Sequence, residues 1–252
     1  MRRNVRAIAR ALGIGTAVAV AAEYVPSTAV VGQWTPLEVA PLELCRWRGS
    51  GARPEVALTF DDGPHPEGTP AVLDRLDQLG LRGTFFTLAS AVEQHPELLA
   101  EIVRRGHEVG THGYRHAHHL ARSPAWVAGD LRRATTTMAA AGVAPVWFRP
   151  PYGQGTAATF GVARLRGLRP VLWSAWGREW TTADPRRVAA RIGRRLRRGA
   201  VVLLHDSDAH GRPGMWRTAL DSLDLVAADL ERHGLKAVGL QQLVRRGPVD
   251  GV

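Results

Sequence analysis

Four short polar clusters in this 252-residue chain have the residue types and spacing of a reactive site. The first is Thr59-Phe60-Asp61-Asp62-Gly63, two adjacent carboxylates at the end of an apolar run. Side chains leaving a strand in succession point different ways, so one carboxylate can ligate a metal while the other accepts a proton. A plain Asp-Asp-Gly-Pro turn would read the same, because Asp, Gly and Pro all favour turns. The second cluster is His112-x3-His116, whose imidazoles can meet one divalent ion if the segment coils through a turn. Gly113 argues for a loop there, and a solvent-facing histidine pair is the other reading. His118 and His119 follow at once and blur any ligand count made on spacing alone. A carboxylate with two imidazoles leaves coordination positions open for water and substrate, as a hydrolytic metal site requires. In the third cluster, Phe148–Gly153 (FRPPYG), Pro150 and Pro151 stiffen the backbone and can aim an amide N–H, while Arg149 can pair with a carboxylate. In the fourth, Leu203–Asp208 (LLHDSD), His205 ends an apolar run, where it can serve as a general acid or simply pack in the core.

The elements that must position these clusters follow from periodicity. Val56–Phe60 reads as a buried strand and Thr69–Leu79 as a helix. Thr84–Ala89 is the next strand, followed by a helix through Leu98, Leu99, Ile102 and Val103 that Gly106 is placed to cap. His107–His112 is a third strand, and Ser123–Ala141 a helix with Ser123 at the N-cap and Pro124 at N1. Further strands are expected at 146–148, 170–175, 200–205 and 236–240, with helices over Arg186–Arg198 and Thr218–His233. Strands alternating with helices imply parallel pairing and right-handed crossovers. The expected fold is α/β, a distorted (β/α) barrel of about seven parallel strands. The four clusters fall where strands end, the face on which such barrels carry their chemistry.

Composition excludes fibrous, mucin-like and wholly disordered classes, with 45% hydrophobic and 22% charged residues. The 33 basic and 23 acidic residues give +10, nearly all of it from arginine because Lys236 is the only lysine. Such a surface favours polyanions, an anionic wall polymer or a membrane surface among them, although the scattered arginines also fit solvated helix faces. Cys45 is the only cysteine, so no internal disulfide forms and a metal site must use His, Asp and Glu.

Arg2, Arg3, Arg6 and Arg10 precede an uncharged stretch, Ala11–Ala22, in the manner of an export signal or membrane anchor. A cytosolic amphipathic helix is the competing reading. We divide the chain into residues 1–31 as signal or anchor, 32–54 as a lead-in, and 55–246 as the catalytic domain. The domain is expected outside the cytoplasm.

Taken in order, TFDDG, H-x3-H, RPPYG and LLHD resemble the polysaccharide deacetylases with the NodB homology domain, carbohydrate esterase family 4. The resemblance runs from about Val56 to Leu243. It implies a divalent metal, usually Zn2+, and removal of acetyl groups from an N-acetylated polysaccharide such as peptidoglycan or a chitin-like polymer, by attack of a metal-bound water. It further implies Asp61 as general base, Asp62, His112 and His116 as metal ligands, and Arg149 as the partner of Asp61. The Tyr152 backbone N–H would stabilise the oxyanion, Leu203 would line the acetyl pocket, and His205 would protonate the leaving amine.

Two positions depart from the family pattern. Glu179, before Trp180, stands where an Asp usually orients the catalytic histidine, and Gly113 replaces a Ser or Thr. Trp173, Trp176 and Trp180 form either a sugar-stacking wall or core packing, with Trp180 the one favoured for substrate. The chain is expected to be a monomer acting on an acetylated glycan. A catalytically silent glycan-binding module and an acetyl-xylan esterase are the alternatives. A nucleic-acid binder is disfavoured, because the aromatics gather near the catalytic motifs rather than along a basic stripe.

Overall fold

The computed structural model describes residue 49 and residues 51–245. The N-terminal signal or anchor, most of the lead-in, and Cys45 lie outside the described residues. Among the described residues no helix is long and apolar enough to cross a membrane.

The described residues form eight parallel strands: β1 (Glu55–Asp61), β2 (Gly83–Thr87), β3 (Glu108–Thr111), β4 (Trp147–Phe148), β5 (Arg169–Pro170), β6 (Ala175–Trp176), β7 (Val201–His205) and β8 (Lys236–Ala237). Seven of them run in the order β5-β4-β3-β2-β1-β7-β6, and β8 pairs with the start of β1. The two ends of this path, β5 and β6, do not pair, so the sheet curls into a barrel that does not close. Helices α1 (Gly68–Gln78), α2 (Ala89–Gln94), α3 (Pro96–Arg104), α4 (Pro124–Ala140), α5 (Ala157–Leu165), α6 (Pro185–Gly193), α7 (Met215–Arg232) and α8 (Leu240–Leu243) complete the α/β pattern.

The pleat of β1 separates structure from chemistry. Val56, Leu58 and Phe60 pack with Val202 and Leu204 of β7 against helical residues including Leu73, Ile102, Val188 and Leu223. Ala57 joins Phe86, Trp147, Val201 and Leu203 in a second cluster on the other face. With a period of two, Thr59 and Asp61 share the Ala57 face, inside the barrel. In register, Asp61 lies beside His205 on β7, and Leu203 lies beside Thr59.

Local signals explain several helix boundaries. Ser123 Oγ accepts from the Trp126 N–H at the start of α4, with Pro124 at N1. Gly106 takes φ 78° after α3, as the expected cap requires. The apolar run after β2 divides into α2 and α3 at His95-Pro96, because proline cannot continue a helix but starts one well.

Three expectations need correction. Residues 170–175 are not one strand but the end of β5 and the start of β6. Between them the carbonyls of Val171 and Leu172 accept from the Arg149 guanidinium instead of a neighbouring strand. The last strand is two residues long, and α6 stops at Gly193 although the basic sequence runs to Arg198. Helix α5 is not foreshadowed by apolar spacing; a capping box between Thr156 and Thr159 starts it.

Candidate active site

Each polar cluster sits at a strand end and faces one open cavity of about 460 Å3. Asp61, Asp62, His112, His116, Tyr152, Trp180, Leu203 and His205 line it, while Arg149 and Glu179 stand behind that wall.

The adjacent carboxylates diverge because Asp62 leaves β1 at φ 76°. Asp61 Oδ1 accepts from Arg149 Nη1 at 2.7 Å. Arg149 is fully buried and its donors are widely satisfied: Nη1 also reaches Thr59 Oγ1 at 2.8 Å, Nη2 the Leu172 carbonyl, and Nε the Val171 carbonyl. Its guanidinium lies 4.1 Å from the centre of the Phe86 ring. A buried ion pair holds only with such extra hydrogen bonds, because desolvation of both charges must be offset.

Asp62 turns the other way, toward the imidazoles. Its Oδ1 is 3.4 Å from His112 Nε2 and 3.3 Å from His116 Nε2, and the three groups can present ligand atoms all within 4.8 Å of one another. A tetrahedron with bonds of ~2.0–2.1 Å has edges of ~3.3–3.4 Å, so these separations fit a small divalent ion. His112 Nδ1 lies 2.8 Å from the Arg149 carbonyl, which can only accept, so Nδ1 carries the proton and Nε2 the free lone pair. Burial pushes both His112 and His116 far below the ordinary histidine range, leaving neutral imidazoles. Asp62 Oδ1 is buried without a hydrogen-bond partner, and burial raises its carboxyl to about 7. The donor set is therefore one a cation would complete.

The segment between the two histidines is a loop, and Gly113 sits in it at φ 91°, a left-handed conformation that glycine adopts without strain. A Cβ there would come within 3.0 Å of Asp130 Oδ2, which accepts from the Tyr114 N–H. The histidines that follow have other tasks. His118 stacks on Tyr152 with ring centres 3.7 Å apart, and His119 is buried beside Trp126 and Phe148.

On the opposite wall, Glu179 Oε1 stands 2.7 Å from His205 Nδ1. Glu179 is fully buried, whereas the His205 side chain is 13% exposed into the cavity. Burial alone would lower the imidazole, but the Glu179 hydrogen bond and charge, with Asp62 and Asp61, carry it up to about 9. Trp180 meets the His205 ring edge-on at 5.5 Å. Trp173 is nearly buried and Trp176 half-buried, and both reach the cavity, so the tryptophans combine packing with lining.

Several cavity residues were not picked from the sequence: Arg178, His210, Arg212, Gln154 and Met215. His210 stacks flat on His116, ring centres 4.3 Å apart. Its signal is the polar, glycine-bearing run after LLHD, and that of Arg178 is its place directly before Glu179. Among the described residues only Asp62, Tyr152 and Arg178 are non-glycine residues at positive φ, and all three line this cavity.

An incompletely closed parallel barrel thus carries an Asp-His-His cluster at its strand ends, flanked by the Asp61–Arg149 and Glu179–His205 pairs. A family model described as polysaccharide deacetylase matches residues 48–171. The chain is 30% identical over 211 residues to a peptidoglycan-N-acetylglucosamine deacetylase of Bacillus cereus, covering 82% of this chain and 96% of the relative. It is 35% identical over 205 residues to a chitooligosaccharide deacetylase of Bradyrhizobium sp., covering 77% and 92%. The solved Bc1960 peptidoglycan N-acetylglucosamine deacetylase superposes with a TM-score of 0.77 at 27% identity, covering 84% of this chain and 97% of that one. The chain belongs to the polysaccharide deacetylase family.

Proposed function

We propose that this chain is a divalent-metal-dependent deacetylase that hydrolyses the acetamide of an N-acetylated wall glycan, peptidoglycan first among them. One observation carries the reading: the Asp62-His112-His116 cluster lies between the Asp61–Arg149 and Glu179–His205 pairs in a single cavity. Neither pair would be needed to bind a sugar alone.

Asp62, His112 and His116 would hold the ion, which when bound polarises a carbonyl and acidifies water. Arg149 occupies Asp61 Oδ1, so Asp61 offers its other oxygen to the proton of the attacking water. The rigid Pro150-Pro151 turn aims the Tyr152 N–H at the developing oxyanion, a contribution of ~3–4 kcal/mol for one such donor. Leu203 lines the cavity for the acetyl methyl. Glu179 holds His205 through Nδ1, leaving Nε2 to protonate the departing amine. Residues 55–246 act as the catalytic unit. The arginines ahead of Ala11–Ala22 support export or anchoring, with the unit outside the cytoplasm.

Acetate release from peptidoglycan, chitin oligomers and acetylated xylan tests the reading, with zinc-loaded protein and Asp61→Asn as comparator. Release from an N-acetylated glycan that Asp61→Asn abolishes is expected. Release from xylan alone would replace the amidase by an esterase. Stoichiometric metal with no release from any polymer would leave a binding module.

A further inference from the structure

The charges of the cavity do not balance once the catalytic groups are paired. Asp61 faces Arg149, Glu179 faces His205, and Asp62 faces the position a cation would take. Two lining arginines remain, Arg178 and Arg212, and neither has a carboxylate partner among the described residues.

Arg178 precedes Glu179 and is held at φ 58°, ψ 47°. Its carbonyl accepts from Thr181, but its guanidinium makes no hydrogen bond or ion pair among the described residues. A β-carbon in the left-handed region carries strain, and such strain persists at sites where the side chain must be aimed. The other two non-glycine residues so held are Asp62 and Tyr152, both in the site proper.

Arg212 reaches the same cavity from the loop after β7. Its guanidinium meets neutral oxygens only: the Pro213 and Thr182 carbonyls and Thr218 Oγ1. Its Nε is buried without a partner. Asp208 in the same loop accepts from the Gly214 N–H and faces His65 rather than Arg212.

The surroundings reinforce the positive field. Arg191 also meets neutral oxygens, the carbonyls of Gly177 and Arg178 and Thr181 Oγ1. Arg195 lies over Trp176 at 4.6 Å. By contrast, arginines elsewhere on the surface find acids nearby, as Arg105 does with Glu101, Asp74 and Asp77.

We propose that Arg178 and Arg212 form an anion subsite beside the acetyl position, selecting N-acetylated glycans in which a sugar bound there carries a carboxylate. This rests on the deacetylase reading above. A planar guanidinium with unused donors matches a carboxylate in charge and fork geometry, and a neutral sugar hydroxyl would not repay its desolvation.

The test compares acetate release by the zinc-loaded full chain from three oligomer types. One has lactyl-ether carboxylates, one alternates N-acetylglucosamine with a uronic acid, and one is neutral chitin oligomer. Each acidic oligomer is also supplied as its methyl ester. The free acid of at least one type is expected to exceed its ester in kcat/KM by about tenfold to a hundredfold, the range of one charge-assisted contact. The acid type that shows the larger ratio identifies the carboxylate source. That ratio should fall toward one in Arg178→Gln and Arg178→Gly and narrow as salt rises. Arg178→Gly also frees the left-handed backbone, so a wild-type thermal midpoint with a lost ratio separates recognition from folding.

Equal acid and ester rates in the wild-type protein overturn the subsite while leaving the deacetylase intact, as does a ratio that survives Arg178→Gly. If no oligomer releases acetate, the deacetylase reading fails, and calorimetric binding of acid and ester to the Asp61→Asn protein decides the subsite alone. Tenfold weaker ester binding supports it and equal binding overturns it.

Discussion

Glu179 and His205 meet through a 2.7 Å contact between Oε1 and Nδ1, the carboxylate sealed from solvent and the imidazole open to the cavity. The extra methylene of Glu relative to Asp therefore does not prevent the contact. In the metal-free protein His205 is expected to titrate near 9, and in Glu179→Gln much lower, because the neutral amide removes a raising charge while burial still lowers the imidazole. Ring-proton NMR titration reads this directly. A bound divalent ion offsets the shares of Asp62 and Asp61, so the alkaline limb of kcat/KM should lie below the metal-free value. An unmoved limb in Glu179→Gln would remove that residue from catalysis.

The same pair links pH to stability. His205 rises from 6.5 to about 9 on folding. Its contribution is therefore present in full below pH 6.5 and lost as pH climbs through about 9. Thermal melts of the metal-free protein should show Glu179→Gln furthest below wild type near pH 6, with the gap narrowing above pH 9.

The two aspartates predict opposite metal phenotypes. Asp61→Asn should keep stoichiometric metal and lose turnover, whereas Asp62→Asn and His112→Ala should lose metal, read by elemental analysis after dialysis. Loss of metal in Asp61→Asn would exchange the two roles.

Arg149→Met removes one half of a buried pair, which typically costs ~3–5 kcal/mol, and should lower the denaturation midpoint accordingly. Combining it with Asp61→Asn should recover part of that loss, since no uncompensated charge remains. Additive losses in the double-mutant cycle would show that the pair is not coupled.

Tyr152→Gly keeps the backbone N–H and relieves φ 60°, at the expense of the stack on His118. Its rate should fall by well under the ~10²–10³ that loss of an oxyanion donor costs. A loss in that range would move the role to the phenol ring.

Much of this was legible in the chain, for physical reasons that differ by residue. Val56–Phe60 could be read because a strand buried on both faces is continuously apolar, and the polar pairs beyond it marked the chemical end. What spacing could not decide was which histidines converge. His116 and His118 differ by two residues, yet one points at Asp62 and the other stacks on Tyr152, a choice made by the loop at Gly113. The 170–175 run failed as a strand because its carbonyls serve Arg149, a partner more than twenty residues away. Arg178 and Arg212 were invisible in a chain with arginine everywhere, since an unpaired charge is recognised only once its neighbours are known.

The unpaired ends of the sheet have one further consequence. A barrel left open exposes two strand edges, and exposed edges invite chains to add to one another. Here β5 and β6 are two residues each, and β5 ends in Pro170, which has no N–H to donate. A second molecule would find almost no ladder to extend. The open seam of the sheet is thus a poor template for aggregation.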